Sequence, residues 1–401
     1  MTAIQPLAAL AGLRVAIVHE WFTAYAGSER VVEQLLHLAP HADLFAMVDL
    51  LPPDQRGFLG GRTVHTSMLQ RLPGFLRKRF RGFLPLMPLL VEQFDLRAYD
   101  VILSSSHAVA KGVLVGPDQK HLTYCHSPMR YAWDLQPQYL AESGLGWGPR
   151  GLLARISLHY LRQWDFRSAQ GADVVIANSA YIARRIRRCW GREAEVVYPP
   201  VAVDDFPLHE VKEDFYLAAS RLVPYKRMTL IAEAFAAMPG KRLIIVGEGP
   251  ERQRIEAIAK CAPNIDYRGW LPTSDLRSLL QRARALVFAA EEDFGILPVE
   301  ALACGTPVIA YGRGGAAETI DDAETGVLFP EQTVQGVIAA VGRFEGLVLM
   351  PPSVLRTRAE RFTPAHFRRQ LGSQIERWCA GHREVASQQI EPHKKSARCP
   401  A

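Results

Sequence analysis

The stretch that most constrains the fold lies between residues 283 and 315, and its sequence is ARALVFAAEEDFGILPVEALACGTPVIAYGRGG. Short apolar runs around Val287 and Ile309 are typical of buried parallel strands. Pro298 and Gly305 mark the start and the end of a helix between them. The order strand, helix, strand predicts an open α/β sheet, in which ligands bind at the carboxyl ends of the strands.

The loop and helix between the two strands carry groups that suit a sugar nucleotide. Glu292 precedes the helix and Glu300 lies in its first turn, so both carboxylates can face one crevice and accept hydrogen bonds from hydroxyl groups. Between them, the amides of Phe294, Gly295 and Ile296 lie at the helix N-terminus, which favours an anion such as a phosphate. Carboxylates that accept hydrogen bonds from hydroxyl groups, beside amides that bind a phosphate, therefore predict a sugar nucleotide as the ligand.

The same residues resemble the signature of the retaining glycosyltransferases of family 4. The resemblance rests on the E-x7-E spacing of Glu292 and Glu300, the Phe-Gly-Ile inside it, and the EALACGTPV that follows. It implies the GT-B architecture, an α/β fold with two Rossmann-like domains that face each other across a cleft. The expected parts of the chain are an acceptor-binding domain (1–199), a linker (200–212), a nucleotide-sugar-binding domain (213–363), a C-terminal helix that returns to the first domain (364–381) and a disordered tail (382–401).

The first domain contains two segments with candidate site residues. Gly27 follows the predicted first strand (13–18) and opens a helix, which predicts a loop that faces a phosphate or a sugar; a plain helix cap is the alternative. The segment CHSPMRYAWD (125–134) resembles a local signature of family 4, many of whose members are mannosyltransferases, among them bacterial enzymes of surface-polysaccharide assembly. By this resemblance His126 lines the sugar pocket, and Arg130 shapes the acceptor side.

The second domain contains a pair of basic residues after its first predicted strand. Arg221 and Lys226 at the carboxyl end of a strand are well placed to neutralise a diphosphate, and in family 4 the matching pair stabilises the departing nucleoside diphosphate. The resemblance also places Gly247 near the nucleoside and Trp270 against its base. The GxG after the strand at 243–246 lacks the third glycine of a dinucleotide fingerprint, which argues against an NAD-dependent oxidoreductase.

Basic charge is concentrated in the first half of the chain. The net charge is +6, and the whole excess lies in residues 1–199. Within residues 71–90, between Pro73 and Pro85, we expect a helix that places Arg77, Lys78 and Arg81 opposite a row of phenylalanine and leucine side chains. Such a helix can lie at an anionic membrane surface, or it can be a solvated basic face over an ordinary core stripe. Nucleic acid is less favoured, because the interleaved side chains suit burial better than base stacking.

The remaining sequence features indicate a compartment. The six cysteines are scattered, without a C-x-x-C pair, which favours reduced thiols and the cytoplasm. The N-terminus lacks a basic region before its apolar residues, so we expect no signal peptide, and the sequence contains no apolar run of about 18 residues that could span a bilayer. We therefore expect a cytoplasmic protein, held peripherally at the inner face of the plasma membrane.

The resemblance implies transfer of a hexose with retention at the anomeric carbon. The donor expected first is GDP-mannose, then a UDP-hexose, and the expected acceptor is a glycan linked to polyprenyl diphosphate. Arg221 and Lys226 would balance the charge on the leaving diphosphate, Glu292 would bind sugar hydroxyls, Glu300 the ribose, and His126 the sugar. Without a D-x-D motif we expect no required metal or other cofactor. The alternatives are a nucleotide-sugar epimerase of the same fold and, least favoured, a non-enzymatic protein that binds membranes or nucleic acid.

Overall fold

The computed structural model describes residues 6–146, 148–348 and 350–389, which form two α/β domains with one parallel sheet each. The first sheet contains β1 (Val15–His19), β2 (Asp43–Ala46), β3 (Val64–Thr66), β4 (Val101–Ser106), β5 (Lys120–Cys125), β6 (Val174–Ala177) and β7 (Glu195–Val196). The second contains β8 (Tyr216–Ala219), β9 (Leu243–Val246), β10 (Ile265–Tyr267), β11 (Ala285–Phe288), β12 (Val308–Tyr311) and β13 (Gly326–Phe329).

The α-helices cover the faces of the two sheets and connect their strands. They are α1 (Gly27–Leu38), α2 (Gly74–Arg77), α3 (Met87–Val91), α4 (Gln136–Glu142), α5 (Pro149–Ala169), α6 (Ala180–Trp190), α7 (Met228–Ala236), α8 (Arg252–Cys261), α9 (Thr273–Arg282), α10 (Ile296–Ala303), α11 (Val334–Glu345), α12 (Pro352–Glu360) and α13 (Pro364–Gln389).

Both sheets have the strand order of a Rossmann fold. The orders are β3-β2-β1-β4-β5-β6-β7 and β10-β9-β8-β11-β12-β13. In β1, Val15 and Ile17 enter one apolar core while Ala16 and Val18 enter the core on the opposite face, so the strand is a continuous apolar run. The order reverses between β1 and β4 and between β8 and β11, where open sheets of this kind form their ligand crevices. The predicted α/β class with two Rossmann-like domains is confirmed.

The last helix belongs to the first domain in space, although it follows the second domain in sequence. Phe367, Leu371 and Ile375 of α13 are buried in the first domain's core, where α13 packs beside α1. The predicted return of the C-terminal helix is confirmed. Because residues 382–389 contain no proline or glycine that would end a helix, α13 continues past the predicted boundary at 381 to Gln389. The rest of the predicted tail, 390–401, lies outside the described residues.

The basic segment does not form the single amphipathic helix that we predicted within residues 71–90. It forms α2, then a 3-10 helix over Phe80–Leu86 and then α3. The Lys78 amide still donates to the Gly74 carbonyl, as in an α-helix, but the Arg79 amide donates to the Leu76 carbonyl, as in a 3-10 helix. Gly82, a poor helix former, lies beyond this change, so the α-helix does not continue. As a result Phe75 is 68% exposed while Phe80 is buried, so the two rings do not share a face. Among the described residues, no helix has the length and apolar character needed to span a bilayer.

Candidate active site

A cleft of about 1030 Å³ lies between the two domains, and the loops at the carboxyl ends of both sheets line it. The first domain contributes the start of α1 and the loop after β5, and the second contributes the loops after β8, β9 and β11. Arg77, Lys78 and Arg81 are not among the lining residues. The predicted residues that line the cleft are Gly27, His126, Arg130, Arg221, Lys226, Gly247, Trp270, Glu292, Phe294, Gly295, Ile296 and Glu300.

Opposite charges meet on the second-domain side of the cleft. Lys226 ends a short 3-10 turn after β8, and Glu292 lies in the loop between β11 and α10. The two side chains form an ion pair and are only 14% and 19% exposed. Nearby, the Arg221 guanidinium donates to the Tyr225 hydroxyl at 2.7 Å. The cation predicted for the diphosphate therefore lies beside the carboxylate predicted for the sugar.

Glu300 on α10 faces a residue of the first domain that the sequence analysis did not identify. The Arg30 guanidinium lies 3.5 Å from the Glu300 carboxylate, and both side chains are mostly buried. Burial raises the pKa of Glu300, and the attraction of Arg30 acts in the opposite direction. Because Arg30 belongs to α1, the contact joins the helices that begin at the two sides of the cleft.

Two glycines allow close approach of backbone at the cleft. A Cβ atom on Gly27 would come within 2.8 Å of Ile296 Cδ1 in the other domain. A Cβ atom on Gly247 would lie 1.8 Å from the Ser220 carbonyl oxygen, and the φ of Gly247 is +142°, a conformation open mainly to glycine. Gly27 thus permits contact between the domains, and Gly247 permits the loops after β8 and β9 to pack together.

The first-domain wall contains two histidines. His126 is half-buried, and its Nε2 lies 2.8 Å from the Ser105 hydroxyl. Burial, together with nearby His107 and His19, lowers the pKa of His126 well below its ordinary value, so the ring is neutral near pH 7. His107 also lines the cleft, and burial lowers its pKa too, although Glu20 acts to raise it.

The loop that carries His107 is held by a buried carboxylate, which the sequence analysis missed. Glu20 accepts hydrogen bonds of 2.7 to 3.1 Å from the Ser106 hydroxyl and the four amides of residues 107–110. Burial acts to raise the pKa of Glu20, but the neighbouring histidine and the amides outweigh it and lower the pKa. Glu20 is therefore an anion that shapes the wall, and its oxygens are engaged by these hydrogen bonds.

Three further contacts hold the domains together beside the cleft. Arg130 forms an ion pair with Asp293 of the second domain, and the Ser179 hydroxyl donates to the Asp293 carbonyl at 2.5 Å. Glu318 accepts hydrogen bonds at 2.8 and 2.6 Å from the first two amides of α6, where a helix N-terminus favours a negative charge. Arg130, predicted on the acceptor side, thus also bridges the domains.

The outer residues of the predicted site lie at the margin of the cleft. Trp270 lines it but is 70% exposed, and its contact with a base stays a prediction. Arg81 lies 5.9 Å from the Trp21 ring centre, and Trp21 contacts His107 edge-on at 4.8 Å. The basic segment is therefore separated from the cleft wall by one aromatic side chain.

The described residues contain no group of three or more His, Cys, Asp or Glu side chains arranged to hold a metal ion. The cleft nevertheless has four acidic side chains among its lining residues, and a donor's own phosphates can contribute ligands to a metal. Our expectation that no metal is required stays a prediction.

Two family models match adjacent parts of the chain. Residues 25–205 match the model described as Glycosyltransferase Family 4, and residues 204–346 match Glycosyl transferases group 1. The two matches include both walls of the cleft and every predicted residue that lines it. The chain belongs to glycosyltransferase family 4. The resemblance seen in the sequence is confirmed.

The chain spans about half, or less, of the length of the curated relatives that it matches. Two are GDP-mannose-dependent alpha-(1-6)-phosphatidylinositol monomannoside mannosyltransferases, from Mycobacterium tuberculosis and Mycolicibacterium smegmatis. Each is 30% identical, over 206 and 207 residues, which is 44% of this chain and 53% and 54% of the relatives. A D-inositol 3-phosphate glycosyltransferase of Mycobacteroides abscessus is 31% identical over 169 residues, 37% of this chain and 38% of the relative.

Solved structures with the same fold cover nearly the whole chain. Sucrose-phosphate synthase from Thermosynechococcus elongatus has a TM-score of 0.64 at 17% identity and covers 92% of this chain and 100% of its own. The lipopolysaccharide outer core galactosyltransferase WaaB has a TM-score of 0.60 at 17% identity and covers 90% and 99%. At such identities the likeness concerns the fold alone, and it supports the GT-B architecture.

Proposed function

We propose that this glycosyltransferase moves mannose from GDP-mannose, with retention, onto a glycan linked to a polyprenyl diphosphate. The observation that carries the proposal is the meeting of Arg221, Lys226, Glu292 and Glu300 in one interdomain cleft. The likeness to the two GDP-mannose-dependent phosphatidylinositol monomannoside mannosyltransferases supports GDP-mannose as donor and a lipid-linked acceptor. The donor and acceptor are inferred from these partial matches and from the segment around His126.

The cleft offers electrostatic stabilisation for a departing diphosphate. Lys226 and Arg221 are cations at the end of β8, and the first amides of α10 lie beside them at a helix N-terminus. When the donor binds, its diphosphate would take the place of Glu292 as the partner of Lys226 and free that carboxylate for sugar hydroxyls. These cations and amides are held in place before charge develops on the leaving group, which is the condition for a large effect on rate.

Retention without a protein nucleophile fits the charges of the cleft. Its acidic lining residues all belong to the second domain, and each has a basic partner. The pairs are Glu248 with Arg252, Glu292 with Lys226, Asp293 with Arg130, and Glu300 with Arg30. In the donor complex Glu292 would instead be taken up by the sugar hydroxyls. We therefore favour a front-face reaction, in which the acceptor oxygen attacks the anomeric carbon from the side of the leaving group. The departing phosphate oxygen then takes the acceptor's proton.

A membrane-facing surface on the first domain would bring the enzyme to a lipid-linked acceptor. The basic residues Lys78, Arg79 and Arg81 are exposed. Arg81 belongs to the 3-10 helix over Phe80–Leu86, and α5 packs against this helix. These neighbouring elements expose large apolar side chains, which single surface residues seldom do in such number. They are Phe75, Leu86, Leu89, Leu152, Leu153 and Ile156. Basic and apolar side chains together suit an anionic bilayer surface.

Sedimentation with lipid vesicles tests this surface. We expect binding to vesicles that contain phosphatidylglycerol and not to vesicles of phosphatidylcholine alone. The double change Lys78→Gln and Arg79→Gln should weaken binding roughly thirtyfold, since each basic residue near the surface contributes about 1 kcal/mol. The matched control, Arg184→Gln with Arg188→Gln, removes two exposed arginines of α6. Equal binding by both double variants would contradict the assignment of the surface.

Calorimetric titration with GDP, UDP and ADP tests the donor. We expect GDP to bind most tightly and Glu300→Gln to weaken it about tenfold, the scale of one hydrogen bond to a charged group. Glu233→Gln, which removes a half-buried carboxylate of α7 outside the cleft, should bind GDP like the wild type. Selective binding of UDP would overturn the choice of GDP-mannose. Absence of binding to all three nucleotides would overturn the proposed function.

A further inference from the structure

A series of side chains leads from the cleft into the first domain. Nε2 of His126 lies 2.8 Å from the Ser105 hydroxyl oxygen, which lies 3.2 Å from Nδ1 of His19. Nε2 of His19 in turn lies 3.5 Å from a carboxylate oxygen of Glu29. Ser105, His19 and Glu29 are buried. The series crosses the ends of the adjacent strands β5, β4 and β1 and finishes on α1, so the parallel pairing of the strands sets its spacing.

The charge on Glu29, at the inner end of the series, decides which atom donates in each hydrogen bond. Burial acts to raise the pKa of Glu29, but His19 and Ser28 outweigh it and lower the pKa, so Glu29 is a carboxylate near pH 7. Its second oxygen accepts from the Ala26 amide and the Ser28 hydroxyl. Among the described residues, Nε2 of His19 has no hydrogen-bond partner at a shorter distance. A bare ring nitrogen would repel the carboxylate, so this nitrogen carries the hydrogen.

The donor and the acceptor of each remaining hydrogen bond in the series then follow. With a single ring hydrogen, on Nε2, His19 presents a bare Nδ1, which can only accept, and Ser105 then donates its hydroxyl hydrogen to it. The Ser105 oxygen is left as an acceptor for Nε2 of His126, which must then carry a hydrogen. Since the His126 ring is neutral, its Nδ1 is bare.

We propose that Glu29, His19 and Ser105 are positioning residues that hold His126 in the tautomer protonated on Nε2. In this tautomer Nδ1 of His126 accepts a hydrogen bond from a hydroxyl group of the transferred sugar. The identity of the ligand rests on the proposed function, whereas the tautomer rests on contacts within the protein and on His19 carrying one ring hydrogen. Contacts of this kind at a catalytic centre fix the state of a histidine and often tighten when the substrate binds.

Nitrogen NMR of the whole protein labelled with ¹⁵N-histidine tests the tautomer directly. Chemical shifts distinguish a bare from a protonated ring nitrogen, and the His126→Gln variant identifies the signals of His126. We expect the wild type to show a protonated Nε2 and a bare Nδ1 at this residue. Ser105→Ala should let the two tautomers mix. The matched control, Ser104→Ala, removes the neighbouring buried hydroxyl, which contacts His121 at 2.8 Å on the other face of the sheet, and should leave His126 unchanged.

Transfer kinetics on the same variants give the functional outcome. We expect Ser105→Ala to lower kcat/KM about tenfold, the scale of one hydrogen bond, and Ser104→Ala to stay within about twofold of the wild type. A wild-type His126 protonated on Nδ1 overturns the proposal, whether or not the alanine variants fold. Equal losses in the two alanine variants also overturn it. A failure of donor binding, measured separately by calorimetry, would count against the proposed function and leave the tautomer result intact.

Discussion

Replacing Lys226 by methionine removes the cation that faces the sugar and phosphate side of the cleft while keeping the length of the side chain. In the structure this ammonium is mostly buried and paired with Glu292. The methionine would leave Glu292 without its partner and the departing diphosphate without one of its two cations. Both changes oppose bond cleavage, because charge on the leaving group grows in the transition state.

The size of the effect follows from the setting of the ammonium. Two unit charges about 4 Å apart interact by roughly 4 kcal/mol at the effective dielectric constant of about 20 that describes such sites. The leaving group gains only part of this energy in the transition state, since the bound diphosphate is already anionic. If the differential part is about half to all of it, the rate falls by roughly thirtyfold to a thousandfold. We expect the loss chiefly in kcat.

Single-turnover measurements with saturating donor isolate this step from product release. Lys226→Arg should recover part of the rate, because it restores the charge with a different geometry. Lys241→Met is the matched control, since Lys241 pairs with Glu345 in the same domain at 3.0 Å, outside the cleft, and it should turn over like the wild type. A Lys226→Met enzyme within threefold of the Lys241→Met enzyme would refute the role assigned to Lys226.

Three further predictions concern stability and the contact between the domains. Glu20→Gln should lower the free energy of unfolding, measured in urea, by about 2 to 4 kcal/mol, because hydrogen bonds to a charged acceptor are stronger than those to an amide; an unchanged midpoint would contradict the anionic assignment. Burial lowers the pKa of His121 from 6.5 to about 4, so the unfolded chain binds a proton here that the folded chain excludes, and stability should fall between pH 6.5 and 4 by up to about 3 kcal/mol. His121→Asn should show a shallower decline over that range, and an equal slope would oppose this explanation. Glu318→Gln should speed hydrogen exchange at the first amides of α6, since it weakens the anion at that helix N-terminus; unchanged exchange would mean that the contact between domains does not depend on the charge.

Local features of the sequence were sufficient to predict the fold and many of the residues that line the cleft. The alternation of apolar runs and helices fixed the parallel sheets, and loops at the ends of parallel strands necessarily meet. This is why Lys226 and Glu292, 66 positions apart, could be placed in one site. The single helix predicted between Pro73 and Pro85 was wrong, because apolar periodicity does not show where the backbone changes from α-helical to 3-10 hydrogen bonds, as it does at Arg79.

Residues that act through a partner in another element were not predicted. The apolar pattern of its helix predicts a solvent-facing position for Arg30. Only the packing of the two domains brings it to Glu300. Glu20 follows an apolar strand and has no motif around it; its partners are mostly backbone amides, which leave no mark on residue type. Asp293 is adjacent to Glu292, but the direction of its side chain toward Arg130 depends on loop geometry. Such contacts join distant parts of the chain, so periodicity and spacing give no signal for them.

The most direct test of the central claim is transfer from GDP-[¹⁴C]mannose to a purified polyprenyl-diphosphate-linked oligosaccharide fraction, followed by extraction into organic solvent. We predict that label enters the lipid fraction with the wild-type enzyme, that it does so far more slowly with Lys226→Met, and that UDP-[¹⁴C]glucose gives none. Label that stays in GDP-mannose, or that appears in a different nucleotide sugar without any acceptor, would contradict the account.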